Sequence, residues 1–193
     1  MKMRWKQLAV AMTFAPALMT VAAQTAGIDP VLLAKANAGD RVAQVQVGDR
    51  YAAGNGVARD PKRAAEDYKL AAAWYRKAAE QGDVGGEIHL AALYRDGKGV
   101  VRNPALAAEW YRKAAEQGDA GAQGTLGLLY SIGQGVPRSD VEAYYWLDLA
   151  AAVKGPNQAQ YAANRQNVGA RITADELAEV EERVAQWLAA HPR

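Results

Sequence analysis

The feature that most constrains the fold of this chain is a ten-residue segment that occurs twice. Trp74–Asp83 and Trp110–Asp119 both read WYRKAAEQGD, at an offset of 36 positions. A fixed period of about 20 to 50 residues is typical of solenoids, in which each unit buries its apolar face only against its neighbours. The sequence therefore predicts an array of repeats rather than one closed core.

Each predicted unit begins with a helix that follows a Gly-Asp pair, and these first helices cover 40–53, 83–96 and 119–132. Glycine can end one helix in a left-handed conformation, and aspartate is a good cap for the next. A small residue, Gly48, Ala91 or Gly127, follows an aliphatic one in each first helix. We expect a neighbouring helix to approach closely at these small residues.

A Gly-x-Gly-Val turn ends each first helix, at 54–57, 97–100 and 133–136. The turn follows a helix and occurs three times, which favours a helix–helix connection over a phosphate-binding loop. In the second helices, Trp74, Trp110 and Trp146 recur with alanines at helical spacing, which predicts a packed core rather than a cofactor site.

The second helix of the first unit is predicted to be seven residues longer than the others and to run over 61–81. Seven residues are nearly two helical turns, so the apolar face stays in phase. Asp67 and Tyr68 lie toward its projecting end, which is one candidate contact surface.

The first 23 residues have the pattern of a secretory signal peptide. Three basic residues lie within the first six positions, residues 8–21 are apolar, and small residues precede position 24. We predict cleavage after Ala23, with Ala26 as the alternative. The apolar run is short and contains Pro16, which disfavours a retained spanning anchor. The protein is therefore predicted to be secreted to the periplasm, without stable membrane insertion after cleavage.

Charge and cysteine content exclude some classes of function. The chain has 193 residues, with 23 basic and 21 acidic side chains. Removing the predicted signal and its three basic residues leaves 20 basic against 21 acidic. A nearly neutral mature chain gives no electrostatic reason to expect nucleic-acid binding. There is no cysteine, so stability must come from packing without disulfides.

Two linked motifs resemble the Sel-one-like repeat (SLR) family, which is related to tetratricopeptide repeats. Leu126–Val136 has the pattern Leu-Gly-x-x-Tyr-x-x-Gly-x-Gly-Val, and Trp110–Asp119 has Trp-Tyr-x-Lys-Ala-Ala-x-x-Gly-Asp. The resemblance covers about 39–152. It implies an all-α, right-handed α/α superhelical solenoid of helix-turn-helix repeats that serves as a protein-binding scaffold. Some exported relatives are cysteine-rich and associated with β-lactam hydrolysis, an implication that this cysteine-free chain does not share.

The predicted organisation has six parts. They are a signal peptide (1–23), an N-terminal half-repeat or cap helix (24–39), repeat 1 with its seven-residue insertion (40–82), repeat 2 (83–118), repeat 3 (119–155) and C-terminal capping helices (156–193).

The residue inventory offers little for catalysis. Only two histidines, His89 and His191, are present, and a nucleophile–base pair would require Ser131 to meet His89 from another repeat. There are no paired His or Cys residues that would hold a metal. We therefore predict no catalytic residues, no cofactor and no metal site, and a protein that is not an enzyme.

The predicted function is binding of a protein or peptide partner, with the oligomeric state left open. The outward positions of the first helices form what we call the first-helix surface. It consists of Val45, Asp49, Ala52, Ile88, Ala92, Arg95, Gly124, Leu128 and Ser131. From these we predict Asp49, Ile88, Arg95 and Leu128 as partner-binding residues.

Two alternatives remain. One is an immunity-type protein that neutralises a toxin in the periplasm. The other is a cell-wall or carbohydrate binder, which would need Tyr68 or Tyr144 on a concave surface rather than packed; a hydrolase is the least favoured reading.

Overall fold

The computed structural model describes residues 27–53 and 61–192, and these residues form nine α-helices and no β-strand. The helices are α1 (Pro30–Asn37), α2 (Arg41–Ala52), α3 (Pro61–Glu80), α4 (Val84–Asp96), α5 (Pro104–Glu116), α6 (Ala120–Ile132), α7 (Asp140–Ala151), α8 (Gln158–Gly169) and α9 (Ala174–Ala190). The prediction of an all-α fold is confirmed, and Trp74, Trp110 and Trp146 all lie on helices as predicted.

The helices pack in chain order, which is the arrangement of a solenoid. Each helix from α1 to α7 packs against the one that follows it. In addition, α2 contacts α4, the first helix of the next unit, and α6 contacts α8, which follows the last repeat. The C-terminal α9 packs on α7.

The Gly-Asp junctions at 39–40, 82–83 and 118–119 connect one unit to the next as the sequence predicts. Their glycines have φ values of 98°, 75° and 90°, a left-handed conformation that costs glycine little. Each aspartate then accepts a hydrogen bond from the amide three residues later, at 2.9, 2.9 and 2.8 Å. Local sequence chemistry therefore fixes where one helix ends and the next begins.

Two copies of the Gly-x-Gly-Val motif form helix–helix turns, and the copy at 54–57 lies outside the described residues. Gly97 and Gly133 end α4 and α6 with φ near 70°. The second glycine of each turn lies directly against the preceding second helix. A Cβ on Gly135 would lie 2.1 Å from the Pro104 carbonyl oxygen, and one on Gly99 would lie 2.4 Å from that of Tyr68.

These equivalent contacts show how α3 is lengthened. Because Gly99 meets Tyr68 as Gly135 meets Pro104, Tyr68 occupies the place at which α5 begins. Residues 61–67 therefore extend α3 by seven residues, or about 10 Å at 1.5 Å per residue.

The core consists of two apolar clusters that Trp110 joins. One is built around Trp74 and Leu90, the other around Leu126 and Leu147, and all four side chains are buried. Trp110 is partly buried and packs against both. The predicted close approach at small residues is confirmed, since a Cβ on Gly48 would lie 2.6 Å from the Tyr75 ring and one on Gly127 would lie 2.7 Å from Leu147.

The predicted signal peptide and both candidate cleavage sites lie outside the described residues. Among the helices of residues 27–53 and 61–192, none combines the length and the apolar character that crossing a bilayer requires.

Candidate partner-binding surface

The four predicted partner-binding residues differ in how far they reach solvent. Asp49 on α2 and Leu128 on α6 are exposed, whereas Ile88 and Arg95 on α4 are partly buried. Ile88 packs against the core cluster that is built around Leu126 and Leu147. It therefore contributes less free surface than its predicted outward position suggests.

Asp49 is held in place by two residues from neighbouring helices. The Tyr75 hydroxyl of α3 donates a hydrogen bond to Asp49 Oδ1 at 2.8 Å. His89 of α4 stacks on the Tyr75 ring, with centroids 4.8 Å apart, and places its Nε2 3.6 Å from the same oxygen. Burial, and then the bond to Asp49, raise the pKa of Tyr75, so its hydroxyl keeps the proton that it donates.

Arg95 is held by a similar contact in the next unit. Its Nη1 donates to the Tyr111 hydroxyl at 3.3 Å, and its Nε donates to Asp96 Oδ1 at 2.8 Å. The bond to Asp96 raises the pKa of Arg95, and the same bond lowers the pKa of Asp96. Arg95 is therefore a positioned cation whose charge is partly balanced by its sequence neighbour.

Tyr75 and Tyr111 occupy the same place in the ten-residue repeat. Both rings are buried, and both hydroxyls reach a charged residue on the first helix of their own unit. The third unit has Leu147 at this place, a buried residue with no polar group to offer the surface. At this place in the repeat, a tyrosine therefore anchors a charged residue of the first helix in the first two units, and Leu147 does not do so in the third.

The third unit presents an apolar surface instead. Leu128 and Ile132 are 41% and 65% exposed and lie four residues apart on α6, which places them on one helical face. Ser131, between them, donates its hydroxyl hydrogen bond to the Leu128 carbonyl oxygen at 2.8 Å. The first-helix surface therefore changes from charged on α2 and α4 to apolar on α6.

One predicted outward position is wrong. Gly124 was placed on the first-helix surface, but it is buried, and a Cβ there would lie 2.2 Å from the Tyr161 ring of α8. The repeat pattern cannot reveal this contact, because α8 belongs to the part of the chain in which the repeat decays.

The projecting end of α3 is tied back to α2. Tyr68 is partly buried and packs against the first core cluster, with Lys98 Nζ 5.6 Å from its ring centroid. Burial, and then the charge of Asp67, raise the pKa of Tyr51 on α2. The Asp67 carboxylate therefore lies near the Tyr51 ring. Asp67 and Tyr68 thus remain a second candidate surface, one that is continuous with α2.

The aromatic residues considered for carbohydrate binding are packed. Tyr144 is 7% exposed, and its hydroxyl donates to Glu181 Oε1 at 3.2 Å. It lines one wall of a groove of about 820 Å³ with Leu177 and several alanines of α8. Neither Tyr144 nor Tyr68 offers a free ring face of the kind that this alternative requires.

The pair considered for catalysis does not form. Ser131 bonds to the carbonyl of its own helix, while His89 lies against Tyr75 and Asp49. In the part of the chain that the structure describes, no three His, Cys, Asp or Glu side chains are grouped so that they could hold a metal ion.

Sequence reasoning missed His89 and Tyr75 as parts of the surface. His89 was weighed only as a catalytic base, and Tyr75 was not considered as a site residue. The repeat does mark Tyr75 and Tyr111 as equivalent, but their hydroxyl partners depend on how the second helix crosses the first, which the sequence pattern does not specify.

Comparison with known proteins identifies the repeat. The family model described as Sel1 repeat matches three segments, at residues 41–83, 86–119 and 120–152. None of the curated proteins matches the chain.

Two solved structures are similar. The crystal structure of a Sel1 repeat protein from Oxalobacter formigenes shares 37% identity over 63% of this chain and 88% of that one, with a TM-score of 0.57. The protective antigen c5321 of uropathogenic Escherichia coli strains, which displays an SLR fold, shares 27% identity over 90% of this chain, with a TM-score of 0.59. This chain spans 44% of the length of that antigen.

Proposed function

Because the chain belongs to the Sel1 repeat family, we propose that it is a scaffold that binds a protein or peptide partner on its first-helix surface. Sel1 repeats generally mediate protein–protein interactions, and the family is generally non-catalytic. The proposal adds the face that binds and the residues that contact the partner.

The observation that carries this proposal is the anchoring of Asp49 and Arg95 by equivalent core tyrosines. An exposed charged side chain loses rotamer freedom when a partner immobilises it, at about 0.5–1.5 kcal/mol. The bond from Tyr75 at 2.8 Å and the bond to Tyr111 at 3.3 Å restrict these side chains in the free protein. Such preorganisation lowers the free-energy cost of binding.

The charges suggest the chemistry of the partner. Arg95 lies beside Asp96, whereas the described neighbours of Asp49 within bonding distance are a tyrosine hydroxyl and a histidine ring. The side chain of Asp49 is 50% exposed, so a lysine or arginine of a partner can approach it. An apolar side chain of the same partner would cover Leu128 and Ile132 on α6.

Binding is proposed to take place after export. The basic start, the apolar run and the small residues before position 24 support secretion to the periplasm. An immunity-type protein would differ only in its partner, a toxin, and would use the same surface.

The test is capture followed by titration. The mature chain, starting at Gln24, is used to capture proteins from a periplasmic extract of the native host, and the captured protein is identified and purified. Asp49→Asn is then compared with wild type, because asparagine can still accept the bond from Tyr75 while removing the charge. Weaker binding by this variant supports the proposed surface, whereas binding equal to wild type by both Asp49→Asn and Arg95→Gln contradicts it.

A further inference from the structure

Three first helices carry a buried polar residue at the same place. Gln44 on α2, Glu87 on α4 and Gln123 on α6 correspond in the repeat and are 4%, 3% and 0% exposed. Two are neutral amides and one is a carboxylic acid. Burying a polar group is costly unless hydrogen bonds satisfy it. The hydrogen bonds available at this place therefore determine whether the Glu87 carboxyl is more stable protonated or ionised.

The two glutamines make one bond in common. Gln44 Nε2 donates to the Ala36 carbonyl oxygen and Gln123 Nε2 to the Ala115 carbonyl oxygen, both at 3.1 Å. Each of these oxygens lies eight residues earlier, at the end of the preceding helix, and also accepts a bond from the glycine three residues beyond it. The side chain thus links the start of a first helix to the end of the helix before it.

A second bond links Gln44 to a neighbouring turn, whereas Gln123 Oε1 has no hydrogen-bond partner. Gln81 Nε2 donates to Gln44 Oε1 at 2.8 Å. Gln117, the repeat equivalent of Gln81, donates its Nε2 to Glu87 Oε2 at 2.8 Å. Glu87 therefore keeps the accepting half of the arrangement.

The donating half requires a proton. The carbonyl equivalent to those of Ala36 and Ala115 is that of Ala79, which accepts a bond from the Gly82 amide as its counterparts do from theirs. An ionised Glu87 has two accepting oxygens and nothing to donate to this carbonyl, whereas a protonated carboxyl has one O–H.

We propose that Glu87 forms a pH-dependent contact between α3, α4 and α5. Protonated, its O–H donates to the Ala79 carbonyl and its other oxygen accepts from Gln117, which reproduces both bonds of Gln44. Ionised, it loses the bond to Ala79 and leaves a charge beside a carbonyl oxygen in the core. The solenoid is therefore held together more weakly at its second unit as pH rises.

The surroundings of Glu87 favour its neutral form. Burial, the largest effect, raises its pKa above the ordinary 4.5; the bond from Gln117 and the charge of Lys113 on α5 lower it, and the charges of Asp83 and Glu116 raise it. The folded-state pKa thus exceeds the unfolded value. Stability from this contact is fully present below pH 4.5 and is lost as pH rises through the folded pKa.

The experiment compares wild type with Glu87→Gln by thermal melting between about pH 4 and pH 8. Glutamine supplies the missing donor at every pH, so the variant should melt at a higher temperature than wild type near neutrality, by roughly 2–4 °C. The difference should shrink as Glu87 of the wild type becomes protonated. A difference that stays the same across this range overturns the proposal, as does a variant less stable than wild type at neutral pH.

A reciprocal variant tests whether any carboxyl at this buried position of the repeat makes stability depend on pH. Gln44→Glu puts a carboxyl where Gln81 and the Ala36 carbonyl make the same two bonds. It should melt below wild type near neutral pH and recover on acidification. A Gln44→Glu protein that melts like wild type at every pH also overturns the proposal, because it would show that this buried place tolerates an ionised carboxylate. Exchange of Glu179 for Gln, at an exposed position of α9, is the control for the loss of one acidic charge.

Discussion

The Tyr75 hydroxyl of α3 donates a hydrogen bond to the Asp49 carboxylate of α2 at 2.8 Å. The ring of Tyr75 is buried against Gly48, where a Cβ would lie 2.6 Å from it. A glycine in one helix thus admits a ring from the next, and that ring positions a charge on the solvent side. The contact links core packing directly to the surface that we propose binds the partner.

Tyr75→Phe should keep the packing and lose this bond. We expect a decrease in the free energy of unfolding of about 1 kcal/mol, the usual net contribution of one hydrogen bond. Because the Asp49 side chain is then less restricted, partner affinity should fall as well. Urea unfolding and a binding titration measure the two effects. Unchanged affinity would mean that anchoring Asp49 does not contribute to binding.

Trp110→Ala should weaken both halves of the core. Trp110 is partly buried and packs against both apolar clusters, so we expect about 3 kcal/mol of destabilisation, the lower end of the range for deleting a large aromatic. Unfolding should also become less cooperative, because the link between the clusters is cut. Val101→Ala, at a site that is 88% exposed, is the control and should melt like wild type. A wild-type melting curve for Trp110→Ala would remove Trp110 from the core.

Two adjacent glycines of α4 should respond in opposite ways to alanine. A Cβ on Gly86 would lie 2.8 Å from the Ala79 amide nitrogen of α3, so Gly86→Ala must push two helices apart, at about 1–3 kcal/mol. The repeat equivalent of Gly85 is Val42, which has a side chain, and a Cβ on Gly85 would meet only the side chains of Asp83 and Val45. Gly85→Ala should therefore be neutral or stabilising, by up to about 1 kcal/mol. Thermal melts of both variants check this. Equal effects of the two substitutions would contradict the close approach of α3 and α4.

If the predicted signal peptide is cleaved on export, the mature protein should have a defined N-terminus. Protein recovered from the native host should begin at Gln24, or at Gly27 if cleavage follows Ala26. Mass spectrometry of the intact protein measures this. Recovery of the chain from the cytoplasm with an intact Met1 would refute secretion.

Local patterns predicted most of the fold because each one carries its own physical cause. The Gly-Asp junctions form as expected, and each aspartate caps the helix that follows it. Helix α3 runs from Pro61 to Glu80, within one residue of the predicted end. Such features depend on residues close in sequence, so one chain is enough to identify them.

The candidate site was less predictable because it depends on contacts between helices. Helical periodicity correctly placed Asp49 and Leu128 on the outside of the first helices. It could not show that Tyr161 covers Gly124 or that His89 lies beside Asp49. These contacts are set by crossing geometry and by α8, which lacks the repeat pattern. The same limit explains why Glu87, which looks like a surface acid in the sequence, is buried.

The most direct test of the proposed function is the affinity of the Asp49→Asn variant for the protein that the mature chain captures from periplasmic extract. The matched control is Asp175→Asn, which removes one exposed carboxylate from α9. If a cation of the partner lies at Asp49, Asp49→Asn should bind about tenfold more weakly, equivalent to 1.4 kcal/mol, and Asp175→Asn should bind like wild type. The melting temperatures of both variants should stay close to that of wild type. Wild-type affinity for Asp49→Asn, together with lost binding after changes at Asp67 and Tyr68, would contradict the account and place the interface on the lengthened α3.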